Sequence, residues 1–243
     1  MSPRDELVPT LKKLRLSGIL QSLDPRIHQA VETNLSHTEF LYRLLADEVE
    51  RRDAKQLQLR LGRANFENQR TMEDFNFTFN PKLPKAAILE LCTCQFLQTH
   101  TNVLLIGPSG VGKSHVAQAI GHRACLAGHR THYETAHDIF TSLRAGRGDG
   151  TYAKRMARYV SHELLIIDDV GLRPLQTDEP FDLYELIRQR YERVSTVFTS
   201  NRDVPEWHSL FGDPLVASAA MDRLLHHSKV LKLEGKSYRT GAR

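Results

Sequence analysis

Gly107, Pro108, Ser109, Gly110, Val111, Gly112, Lys113 and Ser114 carry the first chemical signal in the chain, because they fit the spacing G-x-x-x-x-G-K-S at every fixed position. Each residue type has a task. Gly107, Gly110 and Gly112 let the backbone turn so that successive N–H groups point into one concavity, where they and the start of a helix hold phosphate oxygens. The Lys113 ammonium reaches the outer phosphates of a nucleoside triphosphate, the Ser114 hydroxyl is a ligand for Mg²⁺, and His115 is the next residue of the cradle. The blander alternative is a glycine-rich turn that binds nothing.

Two further stretches end in polar residues after apolar runs. Leu164-Leu165-Ile166-Ile167 leads into Asp168 and Asp169. A buried parallel strand delivers its C-terminal end to the ligand crevice, so both carboxylates are expected beside the phosphates. Asp168 suits Mg²⁺, directly or through water, and Asp169 suits the orientation and deprotonation of an attacking water. Thr196-Val197-Phe198-Thr199-Ser200 ends in Asn201, whose neutral amide can hold the same water from the other side; out of context Asn201 reads as a turn residue.

The elements around these stretches alternate. Helices are expected over Ala86–Leu97, Ser114–Ala127, His137–Leu143, Tyr152–Val160 and Pro180–Arg193, with a flexible break at Arg144–Gly150. Strands are expected at Val103–Ile106, Arg130–Glu134, Leu164–Ile167, Thr196–Thr199 and Val230–Leu233. Strands separated by helices imply an α/β fold with a parallel sheet and right-handed crossovers. Ahead of them, residues 1–75 read as a small all-helical domain, with a helix at Thr38–Arg63, and residues 76–243 as the nucleotide-binding domain. The join lies in 65–85, where Phe75, Phe77 and Phe79 alternate as in a short strand or extended arm.

Composition narrows the class. The 243 residues are 40% hydrophobic and 26% charged, ordinary values for a globular protein. No apolar run reaches the roughly 18 residues of a membrane helix, and Met1–Glu6 lacks a signal-peptide core, so the expected location is cytoplasmic, away from membranes. Cys92, Cys94 and Cys125 are read as buried thiols. Among twelve histidines, His129 with His132 and the pair His226-His227 invite a metal reading, but no cysteine or carboxylate cluster in the sequence completes a ligand set. Formal net charge is +4, which permits a nucleic-acid partner without requiring one.

In this order, the phosphate loop, the Asp-Asp strand and the Thr199-Ser-Asn-Arg202 strand end resemble AAA+ ATPases. Together with Arg190-Tyr-Glu-Arg193, Glu206-Trp207, Ala220-Met-Asp-Arg-Leu-Leu-His-His227 and Gly235-Lys-Ser-Tyr-Arg239, they resemble the IstB family, the helper ATPases of bacterial insertion sequences, similar to the DnaC helicase loaders. The resemblance runs from the N-terminal helices through Arg239. It implies ATP as the nucleotide, a parallel five-stranded AAA+ core, and a homo-oligomeric ring or spiral on double-stranded DNA that remodels it and recruits or stimulates a cognate transposase. It also implies that Arg223 completes the ATP site of a neighbouring subunit; the rival reading pairs Arg223 with Asp222 or a neighbouring helix. Many relatives carry Glu where this chain has Asp169, and the short stretch after the last strand leads us to expect no C-terminal helical lid.

Two basic groups are candidates for DNA. Arg51, Arg52, Lys55 and Arg63 follow an acidic stretch on the long N-terminal helix, and Arg144, Lys154, Arg155 and Arg158 precede the Asp-Asp strand, the last three sharing a helical side. Solvated basic faces explain either group equally simply. Two other functions compete: a helicase loader of replication, which the His226-His227 signature disfavours, and a small-molecule kinase, which needs a lid and an acceptor site and against which Asp168-Asp169, Asn201 and a lone downstream Arg223 argue.

Overall fold

A computed structural model describes residues 3–68 and 70–238; Arg239, the last residue of the C-terminal motif, lies outside them. The chain divides into two compact units, Met1–Leu59 and Arg60–Arg243.

The first unit is helical. It holds α1 (Pro3–Lys13), α2 (Ser17–Glu32) and most of α3 (His37–Arg63), packed around Leu11, Ile19, Leu23 and Leu44. No side chain of its own caps α2. Glu48 of α3 does this instead, accepting the Gly18 N–H at 2.5 Å and the Ile19 N–H at 3.2 Å, which places a carboxylate at the positive end of α2. The approach demands Gly18, since a Cβ there would sit 2.7 Å from the Glu48 Cα. Burial pushes the Glu48 carboxyl up, but Arg52 and the two amides prevail and hold it below its usual range.

The second unit is an α/β layer structure. Its strands are β1 (Asn102–Ile106), β2 (Thr131–Thr135), β3 (Leu164–Val170), β4 (Ser195–Ser200) and β5 (Ser228–Lys232), all parallel in the order β2-β3-β4-β1-β5. Every residue of β1 and β4 is buried, as expected of apolar central strands covered on both faces. One face carries α4 (Lys85–Leu91) and α5 (Lys113–Leu126), packed through Ile88, Leu91, Val116 and Ile120. The other carries α6 (Ala136–Gly148), α7 (Tyr152–Val160), α8 (Glu179–Arg190) and α9 (Pro214–His226), packed through Leu143, Tyr159, Leu186 and Leu224, with Trp207 from the 3₁₀ segment Val204–Leu210. Because β1 lies between β4 and β5 while the chain continues to β2 at the far edge, the strand order reverses beside the C-terminal end of β1, where open parallel sheets bind ligands.

Three local expectations change. The aromatic segment is turn-rich and not a strand: Phe75 and Phe77 pack with Met72 and Leu83 into the core of the second unit, so the division falls at Leu59/Arg60, ahead of residue 75. The helix expected over Ala86–Leu97 ends at Leu91, since Cys94 adopts φ 60° and a short 3₁₀ turn, Gln95–Leu97, drops Phe96 and Leu97 into the core. The expected break at Arg144–Gly150 is mostly helix. Helix α6 runs to Gly148 because Arg144 and Arg147 are bound to Glu179 and Asp182 of α8, and the turn is made by Gly150 at φ 74°. Cys94 and Cys125 are buried and Cys92 partly so, and burial pushes the Cys92 and Cys94 thiols up to about 11.

Candidate functional site

Three strand ends and one helix start build the site. The loop from Gly107 to Gly112 leaves β1 and enters α5, with positive φ at Gly107 (147°), Gly110 (81°) and Gly112 (104°). A Cβ on Gly107 would lie 2.1 Å from the Leu233 carbonyl oxygen, so the loop closes against the chain beyond β5 only with glycine there. Helix α5 starts at Lys113 with no side-chain cap, which leaves its first N–H groups to an external acceptor and its positive end facing the loop.

Lys113 is 5% exposed, and its ammonium donates to the carbonyls of Gly107 and Pro108, each at 2.9 Å, and to the Asn201 amide oxygen at 2.5 Å. The tip of β4 is thereby tied to the loop after β1. Ser114 donates to Asp168 Oδ1 at 3.0 Å, Thr199 donates to the same oxygen, and the Tyr133 hydroxyl donates to Oδ2 at 2.5 Å. Burial and the Asp168 carboxylate push the Tyr133 phenol far up, keeping it protonated as a donor.

Neighbouring oxygens of an octahedral Mg²⁺ shell with bonds of ~2.1 Å lie about 3 Å apart. The Ser114 and Asp168 oxygens already stand at that spacing, one neutral and one anionic, so this donor pair fits Mg²⁺.

At Asp168–Asp169 the pairing of β3 with β4 slips, with a register shift between Ile167 and Val170, and Asp169 adopts φ 57°. Its N–H is bound by Thr199 Oγ1 at 2.9 Å. The bulge separates two adjacent carboxylates: Asp168 is buried within its hydroxyl cluster, while Asp169 turns out to the cleft. Aspartate tolerates the left-handed region better than most residues, which gives a physical reason for Asp at this position.

These residues border a cleft of about 760 Å³. It is lined by the loop with Lys113, Ser114, His115, Asp168, Asp169 and Asn201, and by Phe75, Asn76, Phe79, Asn80, Leu83 and Tyr238. His115 is set by its Nε2 against the Thr71 carbonyl at 2.8 Å and an edge contact with Phe75. The chain after β5 folds back along the loop: the Tyr238 N–H donates to the Gly110 carbonyl at 2.9 Å, Asn80 binds Lys236, and Phe79 meets Tyr238 edge-on at 4.9 Å. The aromatic and amide lining was not assigned to the site from sequence. Its members lie in two distant segments, and only the alternation of Phe75, Phe77 and Phe79 hinted at it.

Arg223 does not line this cleft. It projects from α9, donates to the Ala219 carbonyl at 2.8 Å and lies over the Tyr184 ring of α8, 5.6 Å from the centroid. The basic candidates separate by their partners. Arg144 binds Glu179, and Arg155 binds Asp149 and Ser142. Lys154 and Arg158 are exposed. On α3, Arg51 binds Ser17 and Arg52 binds Glu48, and Lys55 and Arg63 are exposed. The fold also supplies a carboxylate that the sequence did not suggest for the His226-His227 pair: Glu192, in the turn after α8.

Residues 9–243 match the family model described as IstB-like ATP binding protein. An insertion-sequence ATP-binding protein of Mycobacterium tuberculosis is 40% identical over 230 residues, covering 94% of this chain and 92% of its own. The ATP-binding protein of insertion sequence IS5376 from Geobacillus stearothermophilus is 37% identical over 227 residues, covering 93% and 90%. Among solved structures, the replication initiator DnaA bound to AMPPCP and single-stranded DNA superimposes with TM-score 0.58 at 21% identity, over 71% of this chain and 52% of that one. The DnaC helicase loader gives 0.56 at 20%, over 70% and 97%. At these identities the structural matches establish a shared fold, that of P-loop AAA+ proteins.

Proposed function

The chain belongs to the IstB-like ATP-binding proteins, and from that premise we propose that it is a Mg²⁺-dependent ATPase of DNA transposition, assembling on double-stranded DNA as a ring or spiral, remodelling it and recruiting or stimulating a cognate transposase. One observation carries the catalytic part: Lys113 is bound to Asn201 while Ser114 is bound to Asp168, so the phosphate loop is already joined to the tips of β3 and β4. The insertion-sequence names of relatives at 40% and 37% identity support the biological part.

In this reading the loop amides and the start of α5 would take the phosphates, and Lys113 would turn from its carbonyl partners to the outer phosphate oxygens. Ser114 and Asp168 would hold the Mg²⁺, which would supply neutralisation of charge on the phosphates. Asp169 and Asn201 orient the attacking water, Asp169 accepting its proton. Arg223, outside its own cleft, serves the γ-phosphate of a neighbour, a contribution worth ~10³-fold or more in rate. Lys154 and Arg158 on α7 meet DNA phosphates, with Lys55 and Arg63 as further contacts. The helical unit Met1–Leu59, the part of the expected 1–75 domain that stands apart, grips DNA or a partner. Among the described residues no helix is long and apolar enough to cross a membrane.

The test is ATP turnover measured against protein concentration, with and without duplex DNA. The rate per chain rises with both if sites are shared and DNA nucleates assembly; a rate independent of both refutes the assembly. Arg223→Ala loses turnover and keeps ATP binding. Loss of binding as well means that Arg223 acts through its stacking on Tyr184.

A further inference from the structure

We propose that Glu192, His226 and His227 form a binding site for a divalent transition-metal ion of the zinc class. Glu192 lies in the turn after α8, His226 is the last residue of α9, and His227 leads into β5. One ligand atom from each lies within 4.8 Å of the others. Glu192 Oε1 stands 3.7 Å from His226 Nδ1 and 3.6 Å from His227 Nε2. Two ligands at ~2.0–2.1 Å from a tetrahedral Zn²⁺ are about 3.3–3.4 Å apart, so closure around an ion needs only a few tenths of an ångström between carboxylate and rings, and a modest swing of one ring toward the other.

The chemistry selects the ion. Two imidazoles and one carboxylate suit Zn²⁺, Ni²⁺ or Cu²⁺ better than Mg²⁺ or Ca²⁺, which prefer all-oxygen shells. Half-exposure of all three side chains leaves room for water as a fourth ligand. The backbone is prepared: the Asn102 N–H donates to the His227 carbonyl at 2.8 Å, seating it at the edge of the sheet, and Glu192 holds φ 55° in its turn. An ion here joins the end of α8 to the end of α9, one turn beyond Arg223.

One neighbour competes with it. The Tyr191 hydroxyl lies 2.7 Å from His226 Nδ1, the nitrogen nearest Glu192, and donates to it when that nitrogen is unprotonated. A metal must take the same lone pair.

The experiment is calorimetric titration of the EDTA-treated, desalted full chain with ZnCl₂, repeated with CoCl₂ and read by visible absorption. One ion binds per chain with a tetrahedral Co²⁺ spectrum; Glu192→Gln and His227→Ala each weaken binding by at least about tenfold. Tyr191→Phe strengthens it severalfold. Circular dichroism and ATP binding of the variants verify that they are folded. Absence of binding, or binding that Glu192→Gln and His227→Ala leave unchanged, overturns the site. Unchanged or weaker binding in Tyr191→Phe overturns the assignment of His226 Nδ1 as a ligand.

Discussion

Gly112→Ala tests how the aromatic segment before β1 is built into the phosphate loop. Two costs arise at this residue. Its φ of 104° lies in the left-handed half of backbone space, where an L side chain costs ~1–2 kcal/mol. Its new Cβ would also sit 2.8 Å from Phe75 Cε2 and 3.1 Å from Cζ. Phe75 cannot simply swing away, because it packs edge-on against Phe77 at 4.8 Å and His115 at 5.0 Å, and overpacking of such a site costs ~1–3 kcal/mol. The sum is a destabilisation of about 2–5 kcal/mol. Phe75→Leu removes the obstructing ring edge but leaves the backbone conformation alone. In that background the cost of Gly112→Ala should fall by ~1–2 kcal/mol and retain the backbone part. Urea unfolding followed by the fluorescence of Trp207 reads the effect in the right place, since this is the single tryptophan and is fully buried in the second unit. ATP affinity should fall in parallel, about tenfold for each 1.4 kcal/mol spent distorting the loop. An equal cost of Gly112→Ala in both backgrounds refutes the steric coupling to Phe75; a cost under ~1 kcal/mol in the parent refutes the enforced left-handed geometry.

Two further predictions concern pH and salt. Burial, then the charge of nearby His132, lowers the His162 imidazole from 6.5 to about 4. The unfolded chain therefore binds this proton first as pH falls, and stability contributed by neutral His162 is lost between pH 6.5 and 4; His162→Phe should flatten the Trp207-monitored stability over that window, and an unchanged slope assigns the loss to other groups. Replacing Lys154 and Arg158 together by Ala should weaken duplex DNA binding and make log K less steep in log salt by up to ~2 units, and an unaltered slope in fluorescence-anisotropy titrations takes α7 off the DNA.

Which parts were legible from sequence follows from how local each signal is. The phosphate loop is readable because its backbone geometry demands glycines at fixed spacing, and the parallel sheet because β1, β3 and β4 are continuous apolar runs ending in polar residues. Two of the three hydroxyls around Asp168 were not readable. Thr199 and Tyr133 look like ordinary strand residues until the register Thr135↔Asp168 and the bulge of β3 bring three strands together. Arg144 and Arg155 misled for the opposite reason. A charge run shows its sign but not the Glu179 or Asp149 that neutralises it, and those partners lie across α8 or around a turn. The segment at Arg144–Gly150 looked breakable from its glycines alone, whereas tertiary ion pairs to α8 hold α6 to its end.

Arg190 sits at the joint between the basic helix and the sheet. The residue is 2% exposed and pairs with no carboxylate among the described residues; its guanidinium donates to the carbonyls of Tyr159 at 2.9 Å, His162 at 2.8 Å and Ser195 at 2.5 Å, and to Thr196 Oγ1 at 2.8 Å. Burial lowers it to about 9, so it is still charged at neutral pH. Oriented dipoles, one set belonging to the C-terminal end of α7, take the place of a counterion. Such a weld is indifferent to ionic strength, unlike the arginine–carboxylate pairs on α6 and α8. Salt or a polyanion can therefore strip the outer charges of α7 bare or mask them while its root stays fixed at the head of β4, so the helix can trade partners on its solvent side without loosening the sheet that carries Asp168 and Asn201.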